Sequence, residues 1–201
     1  MASFYAAIGF ILPFLLTIAL PQSTGSPPAA PSTTGSLSIE DACKQTTKLY
    51  DLCMATLSPD RSSLTADAVG LTRAAILAVQ KNASETATYL TNIDEDDNFN
   101  KTAQLQQCLE GCGERYEAAV EQLADATIAL DMGAYDESQV LVSAGQAEVK
   151  LCQKGCQDSP EHQSILMARN TEVDQLCNIT LAIAKLIPRK NKRVAKDEGE
   201  E

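Results

Sequence analysis

Two cysteine pairs, Cys108-Leu-Glu-Gly-Cys112 and Cys152-Gln-Lys-Gly-Cys156, carry the most distinctive chemistry in this sequence. On a helix, a spacing of four puts both thiols of a pair on one face, one turn apart. Four thiols so grouped can hold a soft metal or close two disulfides. In an antiparallel helix pair, level residues are equidistant from the turn. Positions 108 and 156 share their midpoint, 132, with positions 112 and 152, and Met132 falls inside the helix-breaking Asp131-Met132-Gly133. The two signals together predict a hairpin stapled by Cys108–Cys156 and Cys112–Cys152. The crossed pairing would offset each partner by four residues, about 6 Å along a helix, more than two adjacent disulfides accommodate without tilting the helices. Cys43 and Cys53 tie two short helical pieces, and Cys177 is left as a buried, inert thiol beside an apolar stripe.

The compartment decides between metal and disulfide. Residues 8–20 form an apolar run broken by Pro13 and Thr17, too short for the roughly 20 residues that span a bilayer. No basic stop-transfer flank follows it. Residues 1–25 are therefore read as a secretory signal and residues 26–38, with Pro27, Pro28 and Pro31 among Ser, Thr and Ala, as a linker. A secreted chain does not keep reduced thiolates, so no metal site or cofactor is expected, and no membrane contact after signal cleavage. Secretion also gives meaning to three glycosylation sequons at Asn82, Asn100 and Asn178. Asn82 is placed at the polar end of one helix and Asn100 in a loop; Asn178 lies within a strongly helical stretch.

Helices must position these groups. Aromatic residues make up only 4% of the chain and Trp is absent, which favours helix over strand. Residues 39–47 and 49–57 read as short helices. Ser58-Pro59 reads as a helix-start pair or simply a turn, and a first long helix then covers residues 64–90 with Val69, Ala75 or Ile76, Val79 and Ala83 inward; Asp94-Glu95-Asp96-Asp97-Asn98 ends it. Leu105, Leu109, Cys112, Tyr116, Val120, Leu123, Thr127 and Leu130 mark a second, and a third covers residues 135–156. After Ser159-Pro160, Val173, Leu176, Thr180, Ile183 and Ile187 mark a fourth. The prediction is an all-α, up-down-up-down four-helix bundle over residues 39–187 with an N-terminal short helical hairpin, disulfide-stapled, followed by a charged tail at 188–201.

The remaining polar groups do not assemble a catalyst. The single histidine is His162, and no nucleophile elbow or metal motif occurs. The acidic residues 94–97 lack the alternating ligand spacing and the glycine of a calcium loop. Net charge is −11; removing the tail's five basic and four acidic residues leaves 11 basic against 23 acidic, a net of −12. Nucleic acid needs the opposite surface, and an acidic body does not attack anionic membranes. The sequence does offer a line of carboxylates, Glu110, Glu114, Glu117, Glu121 and Asp125, on the second long helix opposite its core stripe. A basic partner would be steered to it, although every amphipathic helix has a solvated face.

Four features together resemble the plant invertase and pectin methylesterase inhibitor domain: the short loop from Cys43 to Cys53, the run from Cys112 through Tyr116 to Leu123, Val142-Ser-Ala144 ahead of Cys152, and the closing Leu181-Ala-Ile-Ala-Lys-Leu186. The resemblance implies a secreted plant protein of the cell wall that docks one-to-one over the substrate cleft of a pectin methylesterase or invertase. It also implies a second family disulfide at Cys112–Cys152, with Cys108 and Cys156 extra to the pattern. Inhibitors similar to the best-known invertase type insert a Pro-Lys-Phe triad from the turn between the second and third bundle helices. Here that turn reads Met132-Gly133-Ala134-Tyr135-Asp136, which tilts the expectation to pectin methylesterase, with Ala134 and Tyr135 joining the carboxylate line as the candidate interface. The alternative is a non-inhibitory secreted structural or defence bundle, or one that holds a small apolar ligand.

Overall fold

Among the described residues the chain forms four long helices and two short ones, because an apolar residue recurs every three or four positions in each long one. The computed structural model describes residues 37–59, 66–158 and 165–188. The short helices are α1 (Ile39–Lys44) and α2 (Tyr50–Leu57), separated by a single 3₁₀ turn at Thr47–Leu49. The long helices are α3 (Ala68–Glu95), α4 (Ala103–Asp131), α5 (Tyr135–Gly155) and α6 (Met167–Ala184). No strand occurs among the described residues, and none of their helices is long and apolar enough to cross a membrane. The signal, the linker, Ser159-Pro160, His162 and the tail beyond Pro188 lie outside the described residues.

Side-chain contacts fix how the long helices run. Arg73 near the start of α3 pairs with Asp131 at the end of α4. Ser138 Oγ on α5 donates to the Ala126 carbonyl on α4 at 2.8 Å, and Gln146 on α5 donates to Asp174 on α6 at 2.9 Å. The Arg169 guanidinium at the start of α6 sits 3.8 Å over the Tyr89 ring near the end of α3. Each contact joins the early part of one helix to the late part of another or meets at mid-length, so the four run alternately and α6 closes the ring on α3. Leu71, Ile76, Val79, Leu90, Leu109, Leu123, Val142, Val149, Val173, Leu176 and Ile183 fill the shared core.

Where helices begin and end differs in places from the periodicity. α3 starts at Ala68, where the Asp67 side chain accepts from the Gly70 amide at 2.9 Å, and Ser58 and Pro59 lie in the turn that leaves α2. The far end of α3 runs through Asp94 and Glu95 because Lys101 reaches back to the carbonyls of Ile93, Asp94 and Asp96, placing a cation where the helix dipole and the acidic run both need one. Thr102 then caps α4 by accepting from the Leu105 amide at 3.1 Å. α6 ends at Ala184, although Ile187 beyond it is still buried.

The second correction concerns the seam between α4 and α5. Val120 and Thr127 are only half-buried, while Ala119, Ala126 and Ala129 take the inward positions. Opposite them stand Ser138 and Gly145. A Cβ on Gly145 would lie 3.3 Å from the Ala119 carbonyl oxygen and 3.3 Å from Leu123 Cγ. Small residues on both sides let these backbones approach closely, and a pattern read from large apolar residues misses that.

Candidate docking face of the stapled hairpin

The hairpin of α4 and α5 turns at Gly133, whose φ of 76° suits a residue without a Cβ. Three disulfides hold the molecule: Cys43–Cys53 across the short helices, and Cys108–Cys156 and Cys112–Cys152 across the hairpin. In the hairpin each bond joins level residues, so both lie in register with the Ser138–Ala126 contact. The sulfurs of Cys108, Cys112 and Cys156 crowd within 4.8 Å of one another, as thiolates around a metal would, but each is spent in a disulfide. An ion pair from Arg115 to Glu148, 2.9 Å, bridges the same two helices on the surface.

Beneath the hairpin, Tyr116 is fully buried and its hydroxyl donates to Asn170 Oδ1 at 2.7 Å. Desolvation holds that phenol protonated well above its usual range. Cys177 is buried too, and burial first, with Asp174 second, pushes its thiol up to about 12; such a thiol is inert.

On the outside, Glu110, Glu114, Glu117, Glu121 and Asp125 are all exposed along one edge of α4. The same edge continues at steps of three and four into Ile128 and Met132, which are 57% and 79% exposed. Val140, near the start of α5, is 67% exposed. The carboxylate line thus ends in large apolar side chains at the hairpin tip. Ala134 and Tyr135 are half-buried instead, and Tyr135 packs against the core. Ile128 and Val140 carry no role in the sequence reading, and Met132 enters it only as the midpoint of the hairpin turn. The signal was available, since Ile128 and Met132 extend the carboxylate spacing by two further steps.

The sequons differ in setting. Asn100 is exposed in the loop between α3 and α4. Asn82 lies in the middle of α3, half-buried, rather than at a helix end, because α3 runs on to Glu95. Asn178 on α6 is exposed but engaged, accepting from Gln146 at 3.0 Å and donating to Asp174 at 3.1 Å.

Residues 37–183 match the family model described as plant invertase/pectin methylesterase inhibitor. The chain belongs to that family. A cell wall/vacuolar inhibitor of fructosidase from Arabidopsis thaliana is 33% identical over 69% of this chain and 75% of its own length. A pectinesterase inhibitor from Actinidia deliciosa is 26% identical over 75% of this chain and 79% of its own. In fold, a mutant form of a pectin methylesterase inhibitor from Arabidopsis superposes with a TM-score of 0.65 at 21% identity, covering 77% of this chain and all of that one. The family is one of enzyme inhibitors, which places this member outside catalysis.

Proposed function

We propose that this inhibitor-family member blocks a pectin methylesterase in the plant cell wall, docking one-to-one over the substrate cleft through the outer edge of α4 and the hairpin tip. The observation that carries this reading is the exposed line from Glu110 to Asp125 ending in Ile128 and Met132. Carboxylates steer a basic partner and set its orientation, while apolar anchors at a tip supply the desolvated contacts that dominate affinity. The stapled seam keeps both on one rigid frame, so little order is lost on binding. The turn from Met132 to Asp136 lacks the Pro-Lys-Phe triad associated with invertase inhibitors of the best-known type, which favours the esterase. The 33% identity to the fructosidase inhibitor favours the second reading, an acid invertase. Secretion through removal of residues 1–25, a linker over residues 26–38 and a glycan on Asn100 belong to the same proposal.

The test is titration of the purified, disulfide-bonded protein into pectin methylesterase and acid invertase assays. Loss of esterase activity at one equivalent is expected; loss of invertase activity alone selects the second reading, and loss of neither makes the bundle non-inhibitory. Glu114→Gln with Glu117→Gln and Glu121→Gln should weaken inhibition and flatten its salt dependence, and unchanged inhibition removes this edge from the interface.

A further inference from the structure

The two staples of the hairpin touch each other. Cys112 Sγ lies 3.2 Å from Cys156 Sγ, although each is bonded to a different partner. A groove between α4 and α5 is lined by all four cysteines, flanked by Arg115, Leu151 and Lys154 and left open where Gly111 and Gly155 lack side chains. Of the four cysteines, Cys108 is the most accessible at 5%, against 1% for Cys112 and 2% for Cys152 and Cys156. From this geometry we propose that the four sulfurs form a thiol–disulfide relay, in which a dithiol reductant opens the outer pair and Cys156 then carries the opening inward to Cys112–Cys152.

The steps balance. One thiolate of the dithiol attacks Cys108 Sγ, breaks Cys108–Cys156, forms a mixed disulfide to Cys108 and releases the Cys156 thiolate. The second thiol of the reductant closes on its own mixed-disulfide sulfur, so the reductant leaves oxidised to a disulfide and Cys108 takes up a proton as a thiol. The Cys156 thiolate attacks Cys112 Sγ, forming Cys112–Cys156 and displacing Cys152, which takes its proton from water. That step is an exchange with no net electron transfer. The released Cys152 thiol already lies 3.7 Å from Asn170 Oδ1, an acceptor for it. A second dithiol opens Cys112–Cys156 at Cys156.

The end of α5 makes the diagonal bond attainable. Cys112 and Cys156 are offset by one helical turn, roughly 5–6 Å, which with the lateral gap between helices exceeds the usual disulfide span of up to about 7 Å between Cα atoms. One residue must move inward. Cys156 is placed to do so, because it follows the last α-helical residue, Gly155, rather than sitting within the helix. The opposite diagonal, Cys108 to Cys152, lies wholly inside two helices and has no such freedom.

The experiment follows opening of Cys112–Cys152 in dithiothreitol under native conditions by timed alkylation and peptide mapping, in the wild type and in Cys108→Ser/Cys156→Ser. If the relay operates, the inner pair opens at least about 10-fold more slowly in the double variant, because the neighbouring Cys156 thiolate has gone and only direct attack by dithiothreitol on the buried pair remains. If the outer pair is merely a staple, its loss loosens the hairpin and the inner pair opens as fast or faster, which overturns the proposal. Cys108→Ser alone supplies a second reading on a chain that keeps Cys156: with no reductant present, alkylation should label Cys152 as well as Cys156 and mapping should recover a Cys112–Cys156 peptide. Label on Cys156 alone would refute the exchange.

Discussion

Replacing Gly145 by alanine measures how closely α4 and α5 approach. In a helix interior, glycine-to-alanine normally stabilises by about 1 kcal/mol, by restricting the unfolded backbone. Gly113 on α4 gives the unopposed case, since a Cβ there meets nothing within 4 Å. At Gly145 the same methyl lands 3.3 Å from the Ala119 carbonyl oxygen and from Leu123 Cγ. Leu123 can shift; the α4 backbone at Ala119 is held by its own helix and by two staples. Overpacking of this kind costs roughly 1–3 kcal/mol, which cancels the propensity gain at the low end and exceeds it by about 2 kcal/mol at the high end. Gly113→Ala should therefore stabilise by about 1 kcal/mol, and Gly145→Ala should range from neutral to about 2 kcal/mol destabilising. For a domain of this size 1 kcal/mol moves Tm by about 2–4 °C, so thermal unfolding followed by circular dichroism, with disulfides intact, separates the two. Equal gains in Tm would mean that the helices stand further apart than the seam of small residues implies.

Other consequences follow from the same structure. Gly133→Ala forces a Cβ into a φ of 76° and should cost about 1–2 kcal/mol, read as a lower denaturant midpoint; no change would mean that the turn can re-form with φ negative. Cys177 holds its proton up to about 12 when folded but releases it near 9.0 when exposed, so above about pH 9 the unfolded chain binds fewer protons and stability falls as pH rises. Tyr116, raised by the same burial, adds to that fall above its ordinary value of 10.0. Urea midpoints should decline from about pH 9 upward, less steeply in Cys177→Ala; a rising midpoint contradicts the assignment. Cys108→Ser/Cys156→Ser should remain folded and inhibitory, whereas loss of Cys112–Cys152 should cost more of the roughly 2–4 kcal/mol a disulfide contributes, tested by melting and inhibition side by side.

The all-helical fold was legible because large apolar residues at steps of three and four survive any detail of packing. Fold-level reading failed where small residues or long polar chains decide. Ala119, Ala126 and Gly145 carry no strong hydrophobic signal, so a periodicity of larger residues selects Val120 and Thr127 in their place. Lys101 caps α3 from a position six residues past its end, and no local propensity for the acidic run predicts that. The cysteine register is a different case: it rests on counting from a turn, which depends on helix rise alone and is insensitive to side-chain size. The candidate surface was half legible. Its carboxylates stand out by charge, but Ile128 reads as an ordinary helix residue and Met132 as a turn residue, and only the folded outer edge joins them to the line.

The division of labour within α4 follows from its geometry. One helix 29 residues long cannot be hydrophobic all round without being buried all round, so its faces have separate tasks. The inward face carries Leu105, Leu109, Tyr116, Leu123 and Leu130 for the core; the face toward α5 carries Cys108, Cys112, Ala119 and Ala126 for close approach and covalent closure. The outer edge is thereby relieved of any packing role, and substitutions there can change charge or shape without unfolding the bundle. Two exposed apolar residues at its end are then poorly explained by stability, since Ile128 and Met132 bury little in the monomer. A surface that the fold does not need, on a helix joined to its neighbour by two disulfides, is where a difference in partner can be written while the scaffold stays the same. If so, exchanging only residues 128–140 between this protein and a relative of different target should move specificity with the segment; retention of the original target would place recognition on another face.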